Sequence, residues 1–70
     1  MTNKDVEKYF ILMKSRGFIA DYWTYDGFWD DKDHIKIHYL HKSGKRSSYR
    51  FLKVRVLQEL RDDKLRKLLD

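Results

Sequence analysis

A chain of 70 residues without a cysteine must hold its fold by side-chain packing, because no disulfide or thiolate-bound metal can staple it. At that length one core sits near the lower limit of what apolar burial supports, so a single domain spanning residues 1–70 is expected. The material for such a core is present as 2 Trp, 5 Tyr and 4 Phe, with a regular supply of Leu, Ile and Val, which excludes a disordered chain. The missing thiols also remove cysteine nucleophiles and suit a reducing cytoplasm. The longest apolar run, Tyr9 to Met13, falls far short of the stretch of about 20 that spans a bilayer, so no membrane partner is expected. Met1-Thr2-Asn3-Lys4-Asp5 lacks the basic flank and apolar block of a signal peptide.

Hydrophobic periodicity gives the order of elements. Val6, Tyr9, Phe10 and Met13 recur at helical spacing behind a Thr2-x-x-Asp5 capping pattern, and Gly17 follows Lys14, Ser15 and Arg16 as a stop. Phe18 to Tyr25, rich in aromatic residues, predicts a strand closed by an Asp26-Gly27 hairpin turn. Phe28 and Trp29 could open a return strand, but Asp30-Asp31-Lys32-Asp33 predicts a loop. From His34, the alternation of Ile35, Ile37 and Tyr39 with Lys36 and His38 marks a strand covered on one face. Ser43-Gly44-Lys45 supplies a turn, and Tyr49 and Phe51 share a face of the next strand.

A helix from about Val54 to Leu69, with a possible bend at Asp62-Asp63, closes the chain. Val54, Leu57, Leu60, Leu65, Leu68 and Leu69 share one half of its circumference, and Val56 alone falls outside. The expected fold is α+β, in the order α-β-β-β-α, with two helices packed on one face of a three-stranded antiparallel sheet.

The order of elements resembles that of double-stranded-RNA-binding domains. That family's lysine cluster with alanine at the start of the second helix is replaced here by Lys53-Val54-Arg55-Val56, so none of its binding residues carries over. In composition, the chain is similar to small phage or mobile-element proteins that block a host factor.

The formal charge of +5 averages two unlike halves. Residues 1–35 hold five basic and seven acidic residues, whereas 36–70 hold eleven basic and four acidic. Lys36 to Arg55 contains no carboxylate. Cations with interleaved hydroxyl and aromatic groups suit a phosphodiester backbone. Lys36, His41, Lys42, Lys45, Arg46, Tyr49, Arg50, Lys53 and Arg55 are therefore the candidate nucleic-acid contacts, with Tyr49 or His41 as base-stacking rings and DNA and RNA equally open.

Upstream, an acidic aromatic segment offers Trp23, Tyr25, Asp26, Phe28, Trp29, Asp30 and Asp31 as anchors for a basic host-protein surface. The Asp run repels polyanions, so the two segments are expected to serve different faces. A pocket for a nucleotide at an oligomer interface is a further alternative. His34, His38 and His41 do not form a metal set on an alternating strand, and no nucleophile motif, phosphate loop or carboxylate pair is visible. The expectation is a non-enzymatic binding protein without a cofactor, monomeric or a small homo-oligomer.

Overall fold

The computed structural model describes residues 1–69 and has the expected α-β-β-β-α order. Helix α1 spans Asn3–Ser15, strands β1, β2 and β3 span Thr24–Asp31, His34–Leu40 and Arg46–Leu52, and helix α2 spans Lys53–Leu69. The sheet is antiparallel in the order β1-β2-β3.

Helix α1 starts with a full capping box. The Asp5 amide donates to the Thr2 hydroxyl oxygen and the Thr2 amide donates to the Asp5 carboxylate. These hydrogen bonds hold the Asp5 carboxyl below its ordinary value of 3.8. At the other end, Gly17 takes φ +81 while the Gly17 and Phe18 amides donate to the Lys14 and Met13 carbonyls, closing the helix as a Schellman motif. Val6, Tyr9, Phe10 and Met13 point inward, as their spacing predicts. They meet Ile35, Ile37 and Tyr39 of β2, with Ile19 and Val56 completing the buried core.

Two elements differ from what the sequence predicts. Phe18–Trp23 is an irregular connection, and Asp26-Gly27 lies inside β1 as a bulge, with Gly27 at φ +104. The hairpin turn is Lys32-Asp33, and Lys32 takes φ +50. The bulge has a packing reason. Tyr25 and Phe28 are an odd number of residues apart, so an unbroken strand would send them to opposite faces. Inserting one residue pairs Tyr25 with Tyr39 and Phe28 with Ile37, both on the helix-covered face, and turns Trp29 outward beside Lys36.

The second difference concerns α2, which runs as one helix through Asp62-Asp63. Its only fully buried residue is Val56, the residue left outside the predicted apolar arc, whereas Val54, Leu57, Leu65, Leu68 and Leu69 are exposed. Chain continuity fixes this rotation. The helix starts directly after Leu52, its Lys53 amide donates to the Asp33 carbonyl, Lys53 pairs with Asp30, and Arg16 of the α1 terminus pairs with Glu59. Together these contacts turn Val56 and, of the predicted arc, Leu60 toward the core and leave Val54, Leu57, Leu65, Leu68 and Leu69 facing away.

Two measurements check this description. Chemical denaturation of the dilute, monomeric chain should show Val56→Ala costing about 2 kcal/mol through lost burial and a cavity, while Leu65→Ala costs no more than about 0.5 kcal/mol. An Asp5→Ala variant should be less stable than the parent at neutral pH. Because the folded-state pKa of Asp5 is depressed, that difference should shrink as the pH falls from about 3.8 through the lowered value.

Candidate nucleic-acid interface

In an antiparallel ladder, directly paired residues share a face. The partners of buried Ile35, Ile37 and Tyr39 therefore line the helix side, and the remaining residues form an uncovered face. One row of that face reads Trp29, Lys36, Arg50 across the three strands, and another reads Thr24, Leu40, Arg46. On the same face His38 lies between these two rows, and His34 lies beyond Lys36, paired with Asp31 and Leu52. Trp29 is 66% exposed, so its indole is presented to solvent at the β1 edge of this row, beside Lys36.

At the far end of β2, the turn to β3 carries His41, Lys42 and Lys45. With Tyr22, Ser43, Arg46 and Ser47 they line an open cleft of about 510 Å³. From Lys36 to Lys42 the strand rise gives a cationic track of roughly 20 Å.

The acidic segment is joined to this track rather than separated from it. Asp26 accepts from Arg46 Nε at 2.9 Å, and Asp31 lies 3.8 Å from Arg50 Nη2, each reaching from β1 across β2 to β3. Lys53 is held by Asp30 at the start of α2. Three of the predicted phosphate contacts thus have carboxylate partners already. Lys36, Lys42, Lys45 and Arg55 have no ion-pair partner among the described residues.

The candidate stacking rings also separate. His41 stands edge-on to Trp23 and Tyr39, at 5.5 and 5.4 Å between ring centroids. Tyr49 is exposed, but on the helix side of β3, where it leans on Phe51. There it borders a second cleft of about 540 Å³ that also takes in Phe18, Arg50 and Arg55.

Of the aromatic segment, Trp23 stacks on Tyr39 at 4.2 Å and packs with Tyr25 and Phe28 against the core. The Tyr25 hydroxyl donates to the Asn3 side-chain carbonyl, and burial pushes its pKa above the ordinary value of 10.0. Trp29 alone of the four rings is free. In the sequence Trp29 belongs to the acidic aromatic segment. Its place in the cationic row follows from the bulge, a signal already present as Asp-Gly inside an aromatic run.

The chain matches no family model, no curated protein and no solved structure. No helix among the described residues is long and apolar enough to cross a membrane.

Exposed ion pairs of this kind contribute little to stability. The double variant Asp26→Asn with Asp31→Asn should stay within about 1 kcal/mol of the parent in urea denaturation. It should elute from a heparin column at higher salt, because Arg46 and Arg50 lose their internal partners.

Proposed function

We propose that the protein is a non-enzymatic binding domain for single-stranded nucleic acid, using the uncovered sheet face and the β2–β3 turn. The observation that carries this reading is the row Trp29, Lys36, Arg50, in which an exposed indole lies level with two cations across the uncovered face. An unpaired base stacks on such a ring while neighbouring cations meet the flanking phosphates. Lys42 and Lys45 continue the track toward the turn, and Tyr22 borders the same cleft.

A short oligonucleotide of about four nucleotides fits the roughly 20 Å length, near the lower end of site sizes for sheet-based single-strand binders. A duplex is less well served, because the face is weakly charged once Asp26 and Asp31 are counted. Arg46 and Arg50 take part by exchanging a carboxylate for a phosphate oxygen.

The alternative reading, a protein that blocks a host factor through its aromatic segment, has less support. Trp23, Tyr25 and Phe28 are committed to packing on the core, which leaves Trp29 as the one exposed ring of that set.

Fluorescence titration with oligothymidylate tests the proposal. Binding should quench Trp29, and Trp29→Ala should weaken affinity by about 1–3 kcal/mol. With Lys36, Lys42 and Lys45 as the unpaired contacts, the log–log salt slope should be roughly −2. If inorganic polyphosphate binds as tightly as the oligonucleotide, or if Trp29→Ala binds like the parent, base stacking has no part and the proposal fails.

A further inference from the structure

The outward side of α2 is an apolar stripe that the fold leaves without a partner among the described residues. Val54, Leu57, Leu65 and Leu68 lie along one stripe, each at least half exposed, with Leu69 beside its end at 87%. Arg61 occupies the centre of the stripe. The inner side of the same helix, carrying Val56 and Leu60, is already held against the core.

The spacing of the stripe identifies what would cover it. The intervals from 54 to 57, 61, 65 and 68 are 3, 4, 4 and 3, a pattern that reads identically in both directions about Arg61. Two copies packed antiparallel around a two-fold axis at Arg61 place Val54 against Leu68 of the second copy and Leu57 against its Leu65. The same arrangement repeats on the other side of the axis, as a self-complementary interface requires.

The central cation is also accommodated. Asp62 has no ion-pair partner within its own chain among the described residues, and it stands next to the axis. Arg61 of each copy is thereby brought within reach of Asp62 of the other. The exposed stripe offers on the order of 500 Å² of apolar surface per copy. The stems of the flanking Lys and Arg side chains bring the contact toward the roughly 800 Å² per partner of a standard interface.

We propose that the protein forms a symmetric homodimer through antiparallel pairing of α2 across Arg61. The inference is independent of the nucleic-acid reading, since the stripe shares no residue with the uncovered sheet face.

Because the chain has no cysteine, single introduced thiols report the geometry cleanly. Oxidised Arg61→Cys should form a disulfide-linked dimer, because its two copies meet at the axis. Val54→Cys should not, because its two copies lie roughly 21 Å apart along the helices, beyond disulfide reach. Sedimentation equilibrium of the unmodified chain should show a monomer–dimer equilibrium. Asp62→Lys should weaken it by about tenfold or more, by setting a cation instead of a carboxylate against Arg61 of the other copy. Leu65→Glu, an exposed change that spares the core, should give monomers with an unaltered circular dichroism spectrum.

Three results would overturn the proposal. One is a chain that stays monomeric at about 100 μM, and another is a dimer that survives Leu65→Glu. The third is a monomer that co-sediments with phosphatidylserine vesicles through this stripe, since a cationic amphipathic helix also suits an anionic membrane surface.

Discussion

One inserted residue in β1 decides which side chains this molecule keeps and which it shows. Strand alternation is strict, so a displacement by one position exchanges the two faces from that point onward. The bulge at Asp26-Gly27 makes that exchange between Tyr25 and Phe28, placing both on the covered face and Trp29 on the open one. Both rings pack half-buried against the core, which among the described residues has only nine buried side chains. The glycine is required because the bulge puts it at φ +104, where an L side chain is strained. The exposure of Trp29 is thus a consequence of core construction upstream of it.

Local signals in the sequence proved sufficient where a single segment determines the outcome. The Thr2–Asp5 box, the Gly17 stop and the alternation of Ile35, Ile37 and Tyr39 were legible because each depends on neighbours within a few residues. Asp26-Gly27 misled because the same dipeptide suits a hairpin turn and a bulge, and only the register against β2 distinguishes them. The leucine arc of α2 is a real amphipathic pattern, but periodicity does not tell whether an apolar face meets its own core or solvent. That choice is made by contacts distant in sequence, Arg16 with Glu59 and Lys53 with Asp30.

The candidate site shows the same limit. Its cations were legible from their clustering between Lys36 and Arg55, but the carboxylates that share their surface lie on a strand two positions away in the sheet. Charge segregation along a chain need not survive folding. Here β1 carries its aspartates to the arginines of β3, so the most basic and most acidic segments form one mixed surface.

Those cross-sheet ion pairs have a consequence for how the protein behaves at high concentration. An open three-stranded sheet has two unpaired edges, and here β1 is acidic and β3 basic, so one molecule's edge attracts the opposite edge of the next. Such head-to-tail joining is heterologous, and unless its rotation closes a ring it extends into a fibre. By engaging Asp26 with Arg46 and Asp31 with Arg50 inside each molecule, the fold satisfies the charges that would otherwise drive the edges together. The bulge adds a twist that spoils a flat acidic edge. The same two contacts therefore leave less uncompensated charge on β1 and β3 to draw a second sheet edge.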